Sequence, residues 1–179
     1  GKPVLDDHGV LVKTIGTIQD TAEISRLEEE LKQSNALFHQ AEVMGNMGHF
    51  YWDLTKDKLI SCSAQYARIY GKTVPEALAC FTSTQAVMNL IQPDDKERFK
   101  QNSYCYNELT EEFDGEFRII TSSGDTRHLY ERGERVFDNA GEPSLSFGTL
   151  QDITERKQVE DELKLSTDNF ERVFNLSTY

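Results

Sequence analysis

The chain has 179 residues, 37% hydrophobic and 28% charged, which suits one domain of ordinary size with exposed helical extensions. Lys and Arg number 19 against 31 Asp and Glu, and the net charge of -12, with no basic cluster to offset it, argues against nucleic acid or anionic lipid as a partner. Cys62, Cys80 and Cys105 show no C-x-x-C spacing, no apolar run nears the roughly 20 residues that span a bilayer, and no signal peptide opens the chain, so a reducing cytoplasmic setting is expected.

Residues 3–20 read as a hairpin around Asp7-His8-Gly9. From Thr21 the pattern turns helical, with Ile24, Leu27, Leu31, Ser34, Phe38 and Ala41 spaced by three and four, a heptad seam. Gly45 and Gly48 end it, and residues 48–53 and 57–62 read as a strand pair. Ser63–Tyr70 has helical spacing with Gly71 as terminator, and short helical pieces are expected near Pro75–Leu78 and Thr84–Ile91. Pro93-Asp94-Asp95-Lys96-Glu97 starts a further helix, with Asp94 as cap and Glu97 completing a capping box, running to about Asn107. Three longer strands follow at Phe113–Thr121, Thr126–Phe137 and Pro143–Gln151, joined by turns at 122–125 and 139–142. Asp152 and Glu155 have capping-box spacing at the start of a terminal helix, and Val159, Leu163, Ser166, Phe170 and Val173 continue a second seam.

The chain also repeats itself. Val4–Phe38 aligns with Val136–Phe170 without a gap at an offset of 132 residues: Asp6 with Asp138, Gly9 with Gly141, Gly16-Thr17-Ile18-Gln19-Asp20 with Gly148-Thr149-Leu150-Gln151-Asp152. The segment therefore opens near the end of one module and holds a whole second one.

Several motifs in order carry a family resemblance: Gly48-His49-Phe50-Tyr51-Trp52-Asp53-Leu54, Tyr66 with Ile69-Tyr70-Gly71, Gln92-Pro93-Asp94-Asp95, Glu116-Phe117-Arg118-Ile119, Ser123-Gly124-Asp125, and Gly148 to Arg156. Together they resemble the PAS fold, in the subclass with a carboxyl-terminal PAC motif. The resemblance implies an α+β architecture: a five-stranded antiparallel sheet with small helices on one face, flanked by amphipathic linker helices. It implies residues 1–20 as the terminal hairpin of a preceding module, 21–43 as a linker helix, 44–153 as a complete PAS/PAC domain and 154–179 as an outgoing linker helix. Such modules are sensory and dimerisation units of bacterial signalling proteins, so the parent is expected to be a histidine kinase or a cyclic-di-GMP enzyme (diguanylate cyclase or phosphodiesterase), with its effector outside this segment. The sequence departs from the subclass at Cys62 and His128, where Trp is common, and at Gln92, where His commonly precedes Pro-Asp-Asp.

The candidate pocket residues are Phe50, Trp52, Ile69, Met88, Ile91, Phe99, Phe117, Ile119 and Phe147, although plain core packing is the favoured reading of each. Asp152, Ile153 and Thr154 would fix the sheet-to-helix junction, and Leu27, Leu31, Val159 and Leu163 would carry homodimer contacts. A bound cofactor is not expected. Heme is disfavoured because His8, His39, His49 and His128 all lie outside the helical stretch 63–108. Covalent flavin is disfavoured because Cys80 stands in Ala-Cys-Phe and Cys105 in Tyr-Cys-Tyr, not in Asn-Cys-Arg. Helix capping and a solvated turn account for the acid pairs Asp94-Asp95 and Glu111-Glu112, so the segment is not expected to be an enzyme. A small-molecule ligand is admitted, and a ligand-free scaffold for dimerisation and spacing is the competing expectation.

Overall fold

The computed structural model describes residues 2–15, 22–102 and 111–176, in two compact units, 1–40 and 41–179. In the first, β1 (Lys2–Leu5) and β2 (Leu11–Ile15) form an antiparallel hairpin. Its turn is organised by Asp6, whose Oδ1 accepts the His8 and Val10 amides at 2.9 Å each, while Gly9 takes φ +76° to complete the reversal. Helix α1 spans Ala22–Met44, and its residues from Ala41 on belong to the second unit.

The second unit is an antiparallel sheet in the order β4-β3-β7-β6-β5, made of β3 (Met47–Asp53), β4 (Lys58–Cys62), β5 (Glu112–Ile120), β6 (Thr126–Phe137) and β7 (Pro143–Asp152). Period-two alternation turns Phe50, Trp52, Phe113, Phe117, Ile119, Leu129 and Leu150 to one face, where they are buried. That face is covered by α2 (Ala64–Ile69), α3 (Val74–Cys80), α4 (Thr84–Met88), a 3-10 turn at Pro93–Asp95 and α5 (Lys96–Asn102), which together with the residues linking them add Tyr66, Ile69, Phe81, Met88, Ile91 and Phe99 to the same core. Burial of each large side chain contributes about 1.5–3 kcal/mol.

Local chemistry sets the helix starts. Ser63 Oγ accepts the Tyr66 amide at 3.2 Å, Thr73 and Glu76 form a reciprocal capping box, and Ser83 Oγ accepts the Ala86 amide at 3.3 Å. At Pro93 the expected cap does not form. Gln92 occupies the cap position without a side-chain bond, and the 3-10 turn aims the next acid, Asp95, inward: its carboxylate takes the backbone amide of Arg118 at 2.8 Å and the guanidinium at 2.8 and 2.9 Å. An interior fork of three donors outcompetes a helix cap at a solvated end. Residues 103–110, including the expected helix end and Cys105, lie outside the described residues, as do residues 16–21 of the first repeat copy.

Helix α6 (Thr154–Leu176) leaves the end of β7. Its start corrects a second capping expectation: Asp152 Oδ1 accepts the Thr154 amide at 3.0 Å and the Thr154 hydroxyl, an Asx turn two residues long rather than a box closed by Glu155. α1 and α6 each span 23 residues, starting at positions equivalent in the repeat. Their seam residues are exposed, Leu31 by 62% and Leu163 by 68%.

The repeat is structural as well as sequential. Asp138 folds the β6-β7 turn as Asp6 folds the first, accepting the Ala140 and Glu142 amides at 2.8 and 3.0 Å beside Gly141 at φ +83°. The pairings Pro3–Thr14, Val4–Lys13 and Leu5–Leu11 recur as Arg135–Ser146, Val136–Leu145 and Phe137–Pro143, with the register shift at the same step.

Candidate functional site

Two places in the second unit gather chemistry: the inner face of the sheet and the junction where the chain leaves it.

On the inner face, all the expected pocket residues except Phe147 belong to one buried cluster. Phe147 is the correction. β7 turns Ser146 and Leu150 inward together with Gly148, so Phe147 lies on the outer face, its ring stacked on Tyr51 at 6.0 Å. Gly148 has no room for a side chain, because a Cβ there would stand 2.7 Å from Gly133 Cα and 2.4 Å from Arg132 O. His128 likewise lies on the outer face, one residue from the inward Leu129, whereas Cys62 packs half-buried against the core.

Sequence reasoning missed the polar members of this interior. Glu131 and Arg135, each 5% exposed, occupy the inward positions of β6. Desolvation pushes the Glu131 carboxyl up to about 8, opposed by the positive charge of Arg135, so it is chiefly neutral at pH 7. Arg135 lies 5.1 Å over the Phe113 ring. Tyr66 and Tyr70 are raised above the ordinary phenol range by burial and by Glu131, and burial holds the Cys62 thiol at about 11, which disfavours thiolate chemistry there. Ser146 Oγ, fully buried, has no hydrogen-bond partner among the described residues. The available signal was parity: 131 and 135 fall in step with Leu129.

The junction brings together the start of β3 and the end of β7. The Asp152 amide donates to Asn46 O at 2.9 Å and Gln151 Nε2 to Gly45 O at 2.9 Å. The Thr154 hydroxyl accepts the His128 amide at 2.9 Å, and Ile153 is buried. Arg127 donates to the Ile69 and Arg68 carbonyls at 2.7 and 3.2 Å, which caps the carboxyl end of α2, and stands 3.8 Å from Asp152. Lys157 of α6 reaches Glu116 on β5 at 2.7 Å. The expected residues Asp152, Ile153 and Thr154 therefore meet at one node with Arg127, which the sequence did not single out. Beside it, the outgoing end of α1 is held by Glu42 Oε1, 2.7 Å from His49 Nδ1.

A family model described as PAS fold matches residues 59–150, just over half of the chain, from β4 to near the end of β7. The chain belongs to the PAS fold family. A blue-light-activated histidine kinase of Brucella ovis is 30% identical over 170 residues, 88% of this chain. The PAS chain spans about a third of the length of that relative, 33%. Among solved structures, a sensory box histidine kinase/response regulator from Burkholderia thailandensis has 29% identity and a TM-score of 0.60, covering 75% of this chain and 98% of its own. The N-terminal domain of a diguanylate cyclase with PAS/PAC sensor from Marinobacter aquaeolei shares the fold at 16% identity and a TM-score of 0.51, with 62% of this chain and 98% of that domain covered. The PAS domain here is a sensory module rather than a catalytic one, and no described helix is long and apolar enough to cross a membrane.

Proposed function

We propose that this PAS module is a cytoplasmic signal-input unit that passes a ligand-dependent or quaternary change through α6 to a histidine kinase or cyclic-di-GMP effector elsewhere in its parent. The supporting observation is the Asp152 node, which ties the last strand, the first turn of α6, Arg127 of β6 and the residue before β3 into one bonded set. A shift of the sheet at β6 or β7 has to be answered by the base of α6. The module works as a homodimer paired along the linker helices through Leu27, Leu31, Val159 and Leu163, whose exposure is otherwise costly. Residues 1–20 are the closing hairpin of a preceding PAS module, as the shared register of the two hairpins supports.

The likeness to the Brucella ovis and Burkholderia thailandensis proteins favours a kinase output. The light sense of the former is not carried over, because none of Cys62, Cys80 and Cys105 stands in an Asn-Cys-Arg setting. Replacing Leu163 by Asp tests the reading: dimerisation, followed by sedimentation, and output of the parent are both expected to fall. Unchanged behaviour in both assays would sink it.

A further inference from the structure

Beside the Asp152 node the second unit has an open recess of about 440 Å³, lined by Asn46, Gln65, Arg68, Arg127, Asp152 and Thr154 among others. Its carboxylates, Asp125 and Asp152, are each engaged through one oxygen: Asp152 Oδ1 holds the Thr154 amide and hydroxyl, and Asp125 at the rim accepts the Ser123 hydroxyl at 2.6 Å. Its guanidiniums keep most of their donors free. Each has five N–H donors. Arg68 is exposed and commits Nη1 alone, to Gln65 at 3.1 Å. Arg127 commits Nη1 to the α2 carbonyls, and its 3.8 Å approach to Asp152 Oδ2 is an ion pair without a hydrogen bond. Neither Nε nor Nη2 of either arginine bonds to another described residue, so two planar forks face one recess with their donors unspent.

We propose that this recess binds a small oxyanion, a carboxylate or phosphate group, on Arg68 and Arg127. The planar fork matches both groups in bidentate geometry, which a lysine would not. The chain's net charge of -12 opposes anions at long range, so affinity comes from close contact and is expected near a Kd of about 1 mM. Binding has a structural consequence. An anion on Arg127 competes with Asp152 Oδ2, and Asp152 holds the first turn of α6, so ligand occupancy acts on the outgoing helix without passing through the core. This coupling rests on the relay reading above; the binding itself does not.

The test is a titration of the isotope-labelled chain with inorganic phosphate and, separately, with malonate, against sodium chloride at matched ionic strength. Saturable resonance shifts at Arg68, Arg127, Asp152 and Thr154 are expected, with affinity reduced about tenfold or more in Arg68→Gln, an exposed substitution that leaves the core intact. Saturation by phosphate alone assigns a phosphate-bearing ligand, by malonate alone a carboxylate, and by both a general oxyanion site. Shifts no larger than those of the chloride control overturn the site, as does an Arg68→Gln chain that binds as tightly as the original. Saturation without faster amide exchange at Thr154–Lys157 overturns the coupling. Binding and faster exchange with unchanged output of the parent would count against the relay reading alone.

Discussion

Asp95 and Arg118 lock the 3-10 turn before α5 to the middle of β5: one carboxylate, 5% exposed at its side chain, takes the arginine's backbone amide and two of its guanidinium nitrogens. Arg98 adds a second, looser contact at 3.3 Å. Asp95→Ala leaves a buried amide and a half-buried cation without their acceptor, and a loss of about 2–4 kcal/mol is expected by urea denaturation at pH 7. The bond to Arg118 holds the Asp95 carboxyl below its usual value. A group with a depressed folded pKa stabilises above its unfolded value and ceases to do so as pH falls through the folded one, so Asp95→Asn should flatten the stability loss below about pH 4.

Glu131 gives the opposite sign. Its folded pKa, about 8, lies above the ordinary 4.5, so between those values the unfolded chain releases a proton that the folded one keeps. Stability is therefore expected to fall as pH rises through that window, by at most about 1.4 kcal/mol per unit, and to level off above it. The groups facing Glu131 are Tyr66 of α2 and Tyr70 just after it, which remain neutral throughout, and Arg135 of its own strand, which moderates the slope. Glu131→Gln should remove the slope; denaturation midpoints at pH 5, 7 and 9 that fall equally in both chains would contradict this.

Gly48 is the point where β3 passes under α2. A Cβ there would stand 2.1 Å from the Tyr66 amide nitrogen and 2.5 Å from its Cα, backbone atoms that cannot swing aside. Gly48→Ala is expected to cost more than about 3 kcal/mol and to loosen the Phe50–Tyr66 ring contact at 5.5 Å, seen as lost near-ultraviolet circular dichroism. Gly124→Ala, in open space at φ +89°, should cost only about 1 kcal/mol.

Asp152→Ala removes the acceptor for Thr154 and the counter-charge of Arg127. A loss of about 1–2 kcal/mol is expected, with hydrogen exchange accelerated in the first turn of α6 while β3 and β7 keep their protection. Equal acceleration across the sheet would show that the node is part of the core rather than a joint.

The order of strands and helices was legible because its signals are local: alternation in β5, helical spacing ended by Gly71 over Ser63–Tyr70, and turn residues at Asp7-His8-Gly9 and at 139–142. What escaped was set by partners distant in sequence. In β7 the apolar Leu145 and Phe147 share a parity that argues for the inner face, yet the close crossing of Gly148 and Gly133 assigns that face to Ser146 and the glycines. The spacing to Glu97 favours Asp94 as the cap, and nothing local aims Asp95 inward until β5 supplies Arg118. Glu131 and Arg135 read as surface charges unless strand parity outweighs polarity. At the junction, Asp152 announced itself by its spacing to Glu155, although its partner proved to be Thr154, whereas Arg127 and Arg68 needed the fold to bring α2 against the start of β6.

The pairing of Met47 with Gln151 sets the first strand of the sheet beside the last, and the backbone bond from Asp152 to Asn46 closes the circuit. A module whose two ends meet behaves as a cassette. It can be duplicated or excised between helices of equal length without changing the spacing of what remains, and successive copies stay free to diverge in the ligand each one takes.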